Sequence, residues 1–242
     1  MNNNLSDILN YDLFVLDFDG IIIDSEKIHN KFWNIILKEH NIQFDFYNYC
    51  KIFHATENDG IKKNLEKHYN IHNFDVLSNQ KNDAYFNYIN TNDVELIDGI
   101  YNFLKLLSEN GKNIVIVSNT ARKNIQTILN RYFSDIKIKF VFSKEDAKNK
   151  KPDPEPYNLV YDKFKNMRTV IFEDSITGII SASTSKFNNN LNNNYNKIFF
   201  LNVPEYYHYD YVVQNYNVIN IKKYDLVELN DLIDENDLID EK

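Results

Sequence analysis

Short apolar runs and amphipathic segments alternate along most of this chain. Residues 12–17 (DLFVLD) form an apolar run that reads as a buried strand, and from residue 98 onward the alternation is regular. Residues 98–110 have helical spacing and close at Gly111, and 113–117 (NIVIV) are strand-like. Then come a helix over 122–132, a strand over 138–142, a helix over 154–165 and a strand over 169–172 (TVIF). A helix over 176–186 and a strand over 197–201 (KIFFL) complete the series. This order predicts an α/β fold, with a parallel sheet covered by helices on both faces.

Between the first strand and residue 92 the pattern is different. Asp24 or Ser25 can cap a helix whose apolar face is Ile28, Phe32, Ile35 and Ile36, and the stretch stays helical and rich in aromatic residues. Glycine and proline are scarce, so their placement is informative: three of the four prolines lie in residues 151–157 (KPDPEPY). Residues 188–194 (NNNLNNN) read as a lengthened surface loop, and the doubled NDLIDE of 230–241 as a helical turn pattern.

Active sites of doubly wound sheets gather at the carboxyl ends of strands. Four polar groups fall at such positions: Asp17-Phe18-Asp19-Gly20, Ser118-Asn119-Thr120, Lys151 in the loop before a helix, and Glu173-Asp174-Ser175. Each has an ordinary explanation by itself, as a turn, a helix cap or a solvated lysine. Together, two acidic pairs, a hydroxyl and a lysine, each at the right end of its element, make a charge set suited to a metal-bound phosphate.

Asp17-Phe18-Asp19-Gly20-Ile21, running on to Asp24-Ser25-Glu26, resembles the first motif of the haloacid dehalogenase superfamily, in the branch near phosphoglycolate phosphatase and β-phosphoglucomutase. Ser118 in VIVSN resembles the second motif and Lys151 in KPDPEPY the third. Glu173-Asp174-Ser175 with Gly178 resembles the fourth. The resemblance spans roughly residues 12–220. It implies a Rossmann-like core over 1–23 and 93–242, with a small helical cap domain inserted at 24–92. It also implies a Mg²⁺-dependent phosphatase that forms an aspartyl-phosphate on Asp17. Asp19 would protonate the leaving oxygen and then activate water, and its main-chain carbonyl would bind the metal. Asp174 would ligate Mg²⁺, with Asp17, and Glu173 would do so directly or through water. Ser118 and the amides after it, with Gly20 and Asn119 alongside, would hold the phosphoryl oxygens, and Lys151 would neutralise charge.

Four carboxylates and a dianionic phosphate outweigh Mg²⁺ and Lys151. A like charge about 4 Å away costs roughly 4 kcal/mol at an effective dielectric near 20, so one proton is expected to stay, on Asp19. Asp19 itself separates the chain from the family's dehalogenases, which lack this second aspartate. The absence of a DKTGT signature separates it from the superfamily's transport ATPases.

In the insert, His29 and residues 51–60 (KIFHATENDG) are the expected substrate contacts, with His54, Thr56 and Asn58 chosen from the latter. Trp33, Phe44, Phe46, Tyr47 and Tyr49 are expected to pack the cap. The only arginines are Arg122, Arg131 and Arg168, so the insert has none. Arginine is the usual bidentate reader of a second phosphate. Its absence favours a hydrolase of small phosphorylated metabolites over a phosphomutase, with Lys51 or Lys62 as partial substitutes. A non-catalytic protein of the same fold is the remaining alternative.

Most of the net charge of −8 lies in residues 225–242, where eight acids face only Lys242. No basic face suggests nucleic acid. Cys50 is the sole cysteine, so no intrachain disulfide is possible. The start lacks a signal-peptide pattern, and no apolar run approaches the roughly 20 residues of a membrane span. A monomeric, cytoplasmic protein is expected.

Overall fold

The run Leu13–Leu16 forms strand β1, and all four of its residues are buried. A strand covered on both faces has no polar side, which is why it reads as continuously apolar. The structure, a computed structural model, describes residues 8–53, 58–189, 196–201, 218–221 and 224. Strands β2 (Asn113–Val117), β3 (Phe140–Phe142), β4 (Thr169–Glu173), β5 (Asn196–Leu201) and β6 (Ile219–Ile221) join β1 in a six-stranded sheet. Its order is β3-β2-β1-β4-β5-β6 and every pairing is parallel. The expected α/β fold is therefore present. β6 was not expected; three residues at a sheet edge are too few for periodicity to register.

The helices are α1 (Glu26–Leu37), α2 (Phe46–Ile52), α3 (Asn58–Tyr69), α4 (Phe74–Thr91), α5 (Ile100–Glu109), α6 (Arg122–Tyr132), α7 (Glu155–Lys163), α8 (Ile176–Ser183) and α9 (Lys186–Asn189). Alternate strand residues divide between two cores, as the period of two requires. Phe14, Leu16, Ile114, Ile116, Val170 and Phe172 meet Phe103, Leu104 and Leu107 of α5 and Ile125 and Ile128 of α6. Leu13, Val15, Val115, Val117 and Ile171 meet Tyr157 and Val160 of α7 and Ala182 of α8. The expected helix over 176–186 breaks after Ser183. Thr184 Oγ1 donates to the Ile180 carbonyl (2.7 Å) and Ser185 Oγ to that of Ala182 (2.6 Å), local bonds that compete with helix continuation.

α1 to α4 pack around an apolar cluster of their own, including Trp33, Leu37, Phe44, Tyr49, Phe53, Leu65, Phe74 and Leu77. The chain passes into and out of this segment along one seam. The Asp24 N–H donates to the Glu95 carbonyl (2.9 Å) and the Ile97 N–H to that of Ile22 (3.1 Å). The apolar face read for α1 is rotated in the structure: Phe32, Trp33 and Leu37 are buried, while Ile35 is 52% exposed. Trp33 decides the face, stacking on Phe74 of α4 with ring centroids 5.9 Å apart. Of the five aromatics expected to pack, Tyr47 is also exposed, with the Lys51 ammonium over its ring. No described helix is long and apolar enough to cross a membrane.

Candidate active site

β1 lies between β2 and β4, so the strand order reverses beside it, the point at which sheets of this kind bind ligands at the carboxyl ends of their strands. Leu16 pairs with both Ile116 and Phe172. The residues that follow, Asp17, Val117 and Glu173, therefore come level across three strands.

Lys151 ties them together. It is buried, and its Nζ donates to Asp17 Oδ1 (2.6 Å), the Val117 carbonyl (2.7 Å) and Glu173 Oε1 (2.5 Å). All three ammonium hydrogens are thereby used. The loop carrying Lys151 is held from several sides. Asn119 accepts from the Lys151 N–H (3.1 Å) and donates to its carbonyl (3.2 Å). Glu155 accepts from the N–H groups of Lys148 (2.8 Å) and Asn149 (2.9 Å). The Asn119 side chain, expected beside the phosphate, is thus turned to the backbone of Lys151.

Asp17, Glu173 and Asp174 form a buried acidic cluster in which one ligand oxygen from each lies within 4.8 Å of the others. Two glycines make this possible. Gly20, at φ +74°, lies so near Asp174 that a Cβ would stand 1.8 Å from its Oδ2. A Cβ on Gly178 would stand 1.9 Å from Glu173 Oε2. Glu173 is fully buried, and its Oε1 also accepts from the Tyr157 hydroxyl. Ser175 caps α8 by accepting from the Gly178 N–H (3.1 Å).

Asp19 is half-buried and is not part of this cluster. Its Oδ1 accepts from the Ser25 hydroxyl (2.6 Å) and its Oδ2 from the Thr120 hydroxyl. Neither hydroxyl caps a helix, although both stand where a cap was expected; Asp24, the other candidate cap, pairs with Lys27 (2.7 Å). Ser118 is buried and its Oγ accepts from the Thr120 N–H (3.0 Å).

The two aspartates of the first motif are driven in opposite directions. Burial pushes Asp17 up from 3.8 to about 8, with Lys151 opposing and Glu173 and Asp19 adding to the rise. Burial also pushes Asp19 up, but His29, Ser25 and Thr120 outweigh it and hold Asp19 below its ordinary value. Burial pushes the Glu173 carboxyl up as well, so the protein's own groups put the spare proton on the side of Asp17 and Glu173 and not on Asp19. The sequence-based expectation put it on Asp19, counting a metal and a phosphate in the site.

A second cluster joins the helical insert to the site. His29 Nε2 stands 3.8 Å from Asp19 Oδ1, beyond direct hydrogen-bond distance. His29 Nδ1 is 2.8 Å from Lys81 Nζ, and the His29 ring lies 4.3 Å from that of Tyr85. Lys81 is buried, which lowers its pKa to about 8 against the raising effect of Glu26 and Asp19. Sequence reading missed Lys81 and looked to Lys51 and Lys62, but Lys62 pairs with Asp75 on the surface. The signal was available: Leu77, Lys81, Tyr85 and Ile89 recur every four residues along the buried stripe of α4, and a lysine in such a stripe needs a reason. His54 and Thr56 lie outside the described residues, as does the side chain of Asn58.

The fold and the site define an α/β protein with a buried lysine-linked acidic cluster at the switch point of a parallel sheet. Residues 14–189 match the family model of haloacid dehalogenase-like hydrolases, and the chain belongs to that family. It is similar in structure to a mutant of CbbY from Rhodobacter sphaeroides in complex with xylulose-(1,5)bisphosphate, with a TM-score of 0.70 and 14% identity over 90% of this chain and 96% of that one. A predicted phosphoglycolate phosphatase from Haemophilus somnus matches with a TM-score of 0.70 and 17% identity, over 92% and 98%. A HAD family hydrolase from Deinococcus radiodurans with bound phosphate and sodium matches with a TM-score of 0.68 and 21% identity, over 94% and 97%. At these identities the likeness is one of fold. No curated protein matches the chain.

Proposed function

We propose that this protein is a Mg²⁺-dependent phosphatase that hydrolyses a small phosphomonoester through an aspartyl-phosphate on Asp17. The observation that carries the reading is the Lys151 ammonium, buried between Asp17 and Glu173 at the carboxyl ends of adjacent strands. A buried cation beside a carboxylate nucleophile screens its charge from an incoming phosphate. The bound phosphate of the Deinococcus radiodurans relative and the sugar bisphosphate of the CbbY complex support the substrate class.

The donor set fits Mg²⁺, which takes oxygen ligands: three buried carboxylates converge, and burial has left Asp17 with a raised pKa that a cation would reverse. Asp17, Glu173 and Asp174, with the main-chain carbonyl of Asp19, would hold it, and a cation there would supply charge neutralisation for the phosphoryl group and favour ionised Asp17.

Asp17 attacks phosphorus while Ser118 and the amides beside it hold the phosphoryl oxygens. Asp19, ionised in the free protein, takes up the proton that Asp17 gives up when cation and phosphate are present, turns from Ser25 and Thr120 to pass it to the leaving oxygen, then takes a proton from the water that cleaves the acyl phosphate. The helices over 24–92 act as a cap that closes on the core, hinged at the seam of Ile22–Asp24 and Glu95–Ile97, and excludes bulk water. Lys81 and His29 are its polar contribution.

The test follows inorganic phosphate and hexose-phosphate isomers in one reaction, with trace bisphosphate as activator. Phosphate release that needs Mg²⁺, without isomer exchange, is expected from a panel of phosphometabolites. Rapid interconversion of glucose 1-phosphate and glucose 6-phosphate with negligible phosphate release would overturn the hydrolase reading in favour of a mutase.

A further inference from the structure

Tyr157 lies on α7 at the end of the KPDPEPY segment, where no role was read for it, and it touches both halves of the charged cluster. Its hydroxyl donates to Glu173 Oε1, the oxygen that also takes Lys151 Nζ. Its ring lies 5.0 Å from the Lys151 ammonium, within range of a cation–π contact. Lys151 has no hydrogen to spare, since Asp17, Val117 and Glu173 take all three. Nothing on Lys151 can then replace the Tyr157 hydroxyl if it is lost. Two donors converge on Oε1, whereas Oε2 is met by the Ser175 hydroxyl at 3.5 Å, the limit of a hydrogen bond, so Oε2 is the oxygen of Glu173 more readily turned toward a cation. Gly178 presses on this carboxylate where a side chain would otherwise stand.

We propose that Tyr157 is a positioning residue for the metal: by holding Oε1, it aims Oε2 of Glu173 at the cation and keeps Lys151 bridged between Asp17 and Glu173. The proposal rests on the reading that Asp17, Glu173 and Asp174 hold Mg²⁺. Partners that orient a ligand carboxylate commonly change metal affinity by about 10–100-fold when removed. A tyrosine kept only for packing would not, because phenylalanine fills nearly the same space.

Calorimetric titration of the full chain with Mg²⁺ tests this without turnover. Tyr157→Phe should weaken Mg²⁺ by about 10-fold or more. Val160→Ala, which loosens the same face of α7 without touching Glu173, should lower the melting temperature and leave Mg²⁺ affinity unchanged. In a Glu173→Gln background, Tyr157→Phe should add nothing, because its effect runs through that carboxylate. Affinity within about twofold of wild type in Tyr157→Phe would overturn the proposal. So would an equal loss in Val160→Ala, or full additivity with Glu173→Gln. A 3-fluorotyrosine in place of Tyr157 keeps the hydroxyl and gives a reading that does not depend on the phenylalanine variant folding. Its fluorine resonance should move on saturation with Mg²⁺, and an unmoved resonance would also overturn the proposal. Wild-type protein that takes up no Mg²⁺ would remove the metal-site reading itself, an outcome distinct from a wild type that binds and a Tyr157→Phe variant that binds equally well.

Discussion

Gly178 packs so closely on Glu173 that a Cβ at that position would stand 1.9 Å from Oε2 and 2.3 Å from Oε1. Gly178 lies inside α8, where a helix ordinarily favours alanine by roughly 1 kcal/mol. Gly178→Ala should therefore do the opposite of what helix propensity says. Glu173 must move, which breaks its contacts with Lys151 and Tyr157, and overpacking adds about 1–3 kcal/mol. Thermal denaturation should show a lower melting temperature, and Mg²⁺ titration a weaker affinity. A variant more stable than wild type, with its metal affinity intact, would show that Glu173 does not need this space.

Asp17 should set a pH dependence of stability in the protein stripped of divalent cations. Its folded pKa of about 8 exceeds its ordinary 3.8, so the folded state keeps a proton that the unfolded chain releases. That contribution is complete below about pH 4 and is lost as pH rises through about 8. In EDTA, the melting temperature should fall over this window relative to Asp17→Asn, which has no proton to lose, and Mg²⁺ should flatten the fall. Equal slopes for the two proteins would contradict the assignment. Asp17→Asn should also lose turnover by several orders of magnitude; retention of more than about a tenth, a loss under roughly 1.4 kcal/mol, rules out Asp17 as nucleophile.

Asp19 is separable from Asp17 by the leaving group. Asp19→Asn should impair protonation of the departing oxygen, so its penalty should be large for an alkyl phosphate and small for p-nitrophenyl phosphate. Comparing kcat/KM for the two substrates in wild type and variant measures this. An equal penalty takes Asp19 out of the general-acid role.

Lys81 should trade stability for binding. Burial drives its pKa down to about 8 despite Glu26 and Asp19, which means that the charged amine is held at a cost to the fold. Because its folded pKa lies below the ordinary 10.5, that cost is present below about pH 8 and is relieved as pH rises toward 10.5. Lys81→Met should melt at the same or a higher temperature at pH 7 and raise KM for an anionic substrate about 10-fold or more. A lower melting temperature with KM unchanged would mark Lys81 as a structural residue.

The helices and strands of the core were legible because their signals are local. Apolar runs such as NIVIV need only their own neighbours to declare a buried strand, and Asp17, Ser118, Lys151, Glu173 and Asp174 stand at strand or helix ends that those runs delimit. Errors arose where a face, rather than an element, had to be chosen. Ile35 and Trp33 both suit α1, and only the stacking of Trp33 on Phe74 decides which is covered.

The sequence by itself determined the α/β alternation, the strand ends that carry polar groups, and the family those groups resemble. Tertiary structure decided which of these groups meet and in what state of charge. Lys151 reaches Asp17 across 134 positions of chain, and the hydroxyl of Thr120 reaches Asp19 across 101. No periodicity encodes those contacts; the parallel register beside β1 creates them. The same holds for the spare proton. Asp17 and Asp19 are two residues apart with one ordinary pKa. At Asp17 burial, with Glu173 adding to it, outweighs Lys151, while at Asp19 the His29 ring and the Ser25 and Thr120 hydroxyls outweigh burial, and that difference in surroundings sends their affinities for a proton in opposite directions.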